Sequence, residues 1–212
     1  MSDQIWYIIV SIFGLLVLGI IRLFFMESLM RAFGGFKSSY QSHRDFKGGT
    51  IVYSQFNILA SLLYFISLGF MLYKFNDYFG IVVLWGNFTT FIIIVAGLIL
   101  FVYSKILLYL FFGFLTDSYK VTKEFVYNWV TINQISGFIF FPIAISLAFV
   151  DIKLLSAFIW TGIVFLIVFN IYRFVRGIKI ISQENFPVYY ILLYLCTLEF
   201  IPIAVLWHVL GK

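Results

Sequence analysis

The sequence predicts an all-α polytopic membrane protein: a single domain over residues 1–212, with six transmembrane helices in one bundle and both termini on the non-cytoplasmic side. Three observations lead there. Hydrophobic residues make up 63% and charged residues only 11% of the chain, with a mean hydropathy of +1.07; soluble domains carry about 25% charged residues. Apolar runs of about 20 residues recur, the length a helix needs to cross ~30 Å of hydrocarbon. The cations fall between those runs and to one side of them. That placement is the signature of membrane topology and not of a nucleic-acid-binding face, so the formal charge of +5 does not imply nucleic acid as a partner.

The six runs are 5–26, 51–75, 80–103, 130–150, 154–172 and 187–210. The first has no Lys or Arg ahead of it and no small-residue cleavage site behind a short apolar core, so it reads as a retained span. The second and third are joined by 76–79, and the fourth and fifth by 151–153, connections short enough to make each pair an antiparallel hairpin. Residues 106–115 are apolar but too few to span; the preferred reading is a continuation of the third helix, the alternative a helix lying in the interface. Residues 27–50 mix Phe33, Phe36 and Phe46 with cations and two glycine pairs, Gly34-Gly35 and Gly48-Gly49. They read as a membrane-hugging loop broken at the glycines.

Orientation follows from the cations. Eleven lie on one side (Arg22, Arg31, Lys37, Arg44, Lys47, Lys105, Lys120, Lys123, Arg173, Arg176, Lys179) and three on the other (Lys74, Lys153, Lys212). The positive-inside rule makes the richer side cytoplasmic. Trp6, Trp85, Trp160 and Trp207 all fall near the opposite ends of their spans, as an interfacial aromatic belt would require, and Trp129 alone lies at the cytoplasmic face.

Glu199 is the leading candidate for function. It is an acid in the middle of the last apolar run, where a carboxylate costs on the order of 3 kcal/mol. Counting along the spans places hydroxyls and small residues at its depth, among them Ser11, Gly14, Ser61, Tyr64, Thr89, Thr90 and Thr161, and no cation. The expectation is a protonated carboxyl hydrogen-bonded between helices. Pro202 removes a backbone donor and frees the carbonyl of Leu198. With Cys196 it shares a helical face with Glu199 at a spacing of three, which suits a proton or cation site in a broken helix or a packing device between helices.

Other polar candidates are Asn57 on the second span, Asn133 with Gln134 on the fourth, and Arg22 closing the first. The asparagines sit where interhelical hydrogen bonding is the simplest role. Arg173, Arg176 and Lys179 could hold anionic lipid head groups, although topology accounts for them without that. The lone Cys196 excludes an internal disulfide. His43 and His208 fall on opposite sides and cannot share a metal, and no hydrolase, zinc or phosphate-loop motif is present. No catalytic residue, cofactor or metal is assigned.

The run Tyr194-Leu195-Cys196-Thr197-Leu198-Glu199-Phe200-Ile201-Pro202, with its Phe- and Tyr-rich lead-in from Asn185, resembles the closing segment of a Bacteroidota family of multi-pass inner-membrane proteins catalogued as a domain of unknown function (4271). Phe56-Asn57-Ile58-Leu59 is similar to a run in that family's second span, and Arg22 stands where the family often has a Lys. The matching positions are Tyr194, Leu195, Cys196, Leu198, Glu199, Pro202 and Asn57. The resemblance implies an inner-membrane location in a Gram-negative cell and no particular activity. The function expected is a non-enzymatic subunit of a cell-envelope complex, in protein export or envelope assembly, with membrane lipids and other membrane proteins as partners. A proton-coupled carrier or channel using Glu199 is the alternative.

Overall fold

The structure, a computed structural model, describes residues 2–37, 55–80, 86–115, 119–150 and 152–182. All are helices and their short connections: α1 (Ser2–Phe24), α2 (Met26–Lys37), α3 (Gln55–Phe79), α4 (Asn87–Leu115), α5 (Tyr119–Phe149) and α6 (Ile152–Ser182). All but α2 are long and apolar enough to cross a membrane. They correspond to the first five expected spans; the sixth, 187–210, lies outside the described residues.

Successive long helices run antiparallel, as side-chain contacts show: Tyr7 near the start of α1 meets Tyr73 near the end of α3, and Gly113 at the end of α4 faces Thr122 at the start of α5. The bundle therefore has one end that gathers the close of α1, α4 and α6 with the start of α3 and α5. This is the end that carries the cations, and it is called the basic end below.

Burial separates the helices into two kinds. The apolar windows of α3 and α5 are 61% and 56% buried, against 22% for α1, 17% for α4 and 11% for α6. The first two form a central pair, and the other three surround it with Ile9, Leu16, Leu100, Leu107, Val164 and Val168 turned outward. For helices of membrane-spanning length and apolarity, close backbone packing and interhelical hydrogen bonds are the contacts expected to hold such a pair together. Gly137 of α5 supplies the first: a Cβ there would stand 2.6 Å from the Cα of Tyr64. Ser67, fully buried on α3, supplies the second, its hydroxyl donating to the carbonyls of Leu63 at 2.7 Å and Gly137 at 3.3 Å. Gly14 of α1 makes room in the same way for the ring of Phe141.

Four boundaries differ from the sequence reading, and a fifth follows its preferred alternative. Residues 76–79 are helical, and α3 turns only at Gly80, whose φ of 61° is the left-handed conformation that glycine adopts without strain at a helix end. Residues 106–115 continue α4 without interruption, the preferred of the two expectations. α5 starts at Tyr119 and α6 runs to Ser182, so both reach about ten residues past their apolar runs at the basic end. Finally, Gly34-Gly35 do not break the chain, since both lie within α2. Leu29 and Ala32 pack on the core formed by Val17, Ile21, Phe56, Leu63 and Phe141, and Phe33 meets Phe138. That packed face offsets the ~1 kcal/mol helix cost of each glycine.

Trp6 is a further correction. It is buried among Tyr7, Phe70, Tyr73, Phe88 and Phe91 with ring centroids 4.1 to 5.9 Å away, and so it packs the core instead of facing lipid at an interface. Its indole N–H is buried without a hydrogen-bond partner. Trp160, by contrast, is exposed as an interfacial belt residue should be. Trp85 and Trp207 lie outside the described residues.

Candidate functional site

Polar residues within the described bundle converge on one layer at the basic end, where α3, α4, α5 and α6 meet. The helical repeat sets which side chains enter it. On α4, Val102, Lys105, Ile106 and Tyr109 recur at three- and four-residue intervals and present one face. On α5 the inward face carries Glu124, Phe125, Asn128, Trp129, Ile132 and Asn133, and on α6 Leu166, Phe169, Arg173 and Arg176. Phe125 meets the ring of Tyr109 of α4 edge-on and faces Gly177 of α6, with Phe174 packed against the same cluster, which sets the three helices at one level.

At the centre is Trp129, 4% exposed and packed with Tyr64, Phe65, Leu68 and Val102. Arg173 lies over its ring at 5.2 Å, a placement favoured by the ring quadrupole and more so when desolvated. The guanidinium is steered by two amides: Nη1 donates to Asn133 Oδ1 at 3.0 Å and Nη2 to Asn170 Oδ1 at 2.6 Å. Asn170 is oriented in turn by donating to the carbonyl of Leu166 at 2.8 Å. One turn on, Arg176 is 5% exposed and donates to the hydroxyl of Tyr172 at 3.3 Å. Lys105, also 5% exposed, holds its ammonium over the ring of Phe101 at 4.8 Å. Glu124 is the buried acid of this end among the described residues, and Asn128 donates to its backbone carbonyl at 3.3 Å.

The layer continues into the central pair. Gln134 Nε2 donates to the backbone carbonyl of Asn57 at 3.2 Å and to the hydroxyl of Ser61 at 3.1 Å, tying α5 to α3. Two of the expected site residues, Asn57 and Asn133, are thereby brought into one assembly. Arg22 is not part of it, being exposed in the last turn of α1. Glu199, Pro202 and Cys196 lie outside the described residues, as do His43 and His208.

The hydroxyls expected at the depth of Glu199 are used close to home. Thr90 donates to the carbonyl of Gly86, just ahead of its own helix, and Thr161 to that of Ala157 within its helix. The Ser61 hydroxyl accepts a hydrogen bond from the Gln134 amide. Ser11 and Ser67 border a recess between α1, α3 and α5 with Phe141 and Ala144, and the recess has space for about one water molecule. Among the described residues, no three His, Cys, Asp or Glu side chains stand together as metal ligands would.

Sequence reasoning did not pick out Lys105, Glu124, Asn128 or Trp129 as site residues, and it placed Arg173 and Arg176 in a loop, as topology charges or, alternatively, as a contact for anionic lipid head groups. A signal was present. Lys105 and Tyr109 are four apart, Arg173 and Arg176 three apart, and Asn128 and Asn133 fall on the face of Trp129, so polar groups recur at the helical period through segments that look like loop margins.

No curated protein and no solved structure matches the chain. A family model does, over residues 7–210, nearly the whole length and all five of the long helices just described: the chain belongs to the family described as Domain of unknown function (DUF4271).

Proposed function

We propose that the chain is a non-enzymatic, integral subunit of an inner-membrane complex of the cell envelope, with the basic end in the cytoplasm and both termini outside it. The observation that supports this best is the distribution of packing. A central pair in backbone-level contact is ringed by three helices whose large apolar side chains face outward, and the recess between them takes about one water. This is the build of a packing element and not of a solute conduit. The orientation is supported by the gathering of cations at one end of the helices. Protein export or envelope assembly is the setting the Bacteroidota resemblance suggests.

The reading is tested by extracting tagged protein, expressed from its native locus, into a mild detergent and identifying what accompanies it. Stoichiometric membrane companions, lost when the outward faces of α1 or α6 are altered, are the expected result. A monodisperse single chain with no companions overturns the subunit reading.

A further inference from the structure

Asn170 is a carboxamide on the outside of a mostly apolar stretch. Leu166, Asn170 and Phe174 follow one another at four-residue intervals along one side of α6. Leu166 packs on the cluster of Tyr64, Val102 and Trp129, and Phe174 on that of Tyr109 and Phe125, so this side looks towards α4. Between them Asn170 is exposed, and Ile167 and Ile171 beside it are 53% and 58% exposed. Its Oδ1 accepts from Arg173 and its Nδ2 donates to the carbonyl of Leu166, which uses one of the two N–H donors of a primary amide. Counted from Leu155, where the apolar window of α6 begins, Asn170 lies ~22 Å along, inside ~30 Å of hydrocarbon. The second N–H has no water to turn to at that depth and calls for an acceptor from another helix.

Chain length selects the acceptor. α6 ends at Ser182, and residues 183–186 alone separate it from the apolar run 187–210, which lies outside the described residues. Five residue steps reach at most ~18 Å and packed helices stand about 8–10 Å apart, so a run that recrosses the bilayer starts beside α6 or its immediate neighbour. On an antiparallel return, Glu199 comes 12 residues after Pro187 as Asn170 comes 12 before Ser182, ~18 Å from the turn in each case. Glu199 is the one acid of that run, and it arrives level with the amide.

We propose that the run 187–210 covers this side of α6, crossing antiparallel to it, and that a carboxyl oxygen of Glu199 accepts the second amide N–H of Asn170. The proposal rests on the membrane-spanning reading and is independent of whether the chain has protein companions. It joins the acid singled out by the sequence to the polar layer, through Asn170, Arg173 and Asn133, and makes the last span a brace on α6.

Cysteine pairs in a C196S background test the placement, using the full chain in native membranes. I163C with L206C, and F174C with L195C, fall on the Asn170 side of α6 and the Glu199 side of the run at matching levels, and should form disulfides within one chain on oxidation. I9C with L206C probes the outward face of α1 and should not. Disulfides between two chains make a second copy the occupant, bonding through I9C seats the run on α1, and no disulfide from any pair leaves the face to lipid or another protein; each of these overturns the proposal. The hydrogen bond is read by unfolding in sodium dodecyl sulfate. E199L should lower the folded-to-unfolded ratio about threefold, the weight of one interhelical hydrogen bond, and should lose that effect in an N170L background. An equal effect of E199L in both backgrounds overturns the bond between Asn170 and Glu199. None of these outcomes alters the co-purification result.

Discussion

Replacing Gly137 by alanine is the sharpest probe of how the central pair is held. The added methyl would stand 2.6 Å from Cα and 2.9 Å from Cβ and N of Tyr64, roughly 1 Å inside ordinary carbon–carbon separation. Two of those three atoms are backbone, so no rotamer change relieves the overlap and α3 must move away from α5. Overpacking of this kind costs about 1–3 kcal/mol. The shift also strains the bonds that cross the same interface, from Ser67 to the Gly137 carbonyl and from Gln134 to Asn57 and Ser61, each worth ~0.6 kcal/mol in a membrane. Against this, alanine gains ~1 kcal/mol of helix propensity over glycine. The balance is about 2 kcal/mol of destabilisation, or a fall of about 4–8 °C in the thermal midpoint for a chain of this size. Intrinsic tryptophan fluorescence during a thermal ramp in detergent reads it directly. Gly97 on α4 is the control, because nothing lies within 4 Å of a Cβ there and G97A should melt at or slightly above the wild-type temperature. If G137A melts as high as G97A, the close approach of α3 and α5 is wrong.

Other expectations follow from the same contacts. Asn133→Ala removes the acceptor of a charged donor and should lower stability by about 1.5–3 kcal/mol, with Asn133→Asp restoring part of it; a silent N133A in the same melting assay would discount the Arg173 contact. Trp129→Leu loses the ring under Arg173 and leaves part of the indole's volume unfilled among Tyr64, Phe65, Leu68 and Val102, and a loss of about 2–4 kcal/mol is expected. Sidedness can be read with a membrane-impermeant thiol reagent in a C196S background: D77C should label in intact spheroplasts and K123C only after lysis, and the reverse pattern would invert the topology. For the last span, Glu199→Gln should preserve assembly and Glu199→Leu should lower it, measured as yield of extracted protein; full yield of the leucine variant would remove the hydrogen-bonding role.

The first five apolar runs were legible as long helices because hydrocarbon thickness imposes a length and a composition that survive in any order of packing. Their limits were less so. Residues 76–79 look like a polar link, but Tyr73 and Lys74 just before them are tied to Tyr7, the ammonium of Lys74 donating to its hydroxyl at 3.3 Å, and the helix carries on beyond that anchor to Gly80. The site was hidden for a related reason. Counting cations assigns Lys105, Arg173 and Arg176 to a side of the membrane and says nothing about burial, which depends on the neighbours a helix acquires on folding. Trp129 illustrates the point most simply: as a residue at the cytoplasmic margin it fits an interface, and only the arrival of Tyr64, Val102 and Arg173 makes it the centre of a core.

The overrun of α5 and α6 at the basic end carries a mechanical consequence. At 31 residues each they reach ~46 Å, about the whole thickness of a bilayer with its head groups, and Phe125 locks them to α4 near the tip. Three rods clasped at the point where they emerge behave as one stiff post. In the proposed membrane setting, a push on that tip would travel down α5 to the crossing at Gly137 and so reach the level of the lipid tails.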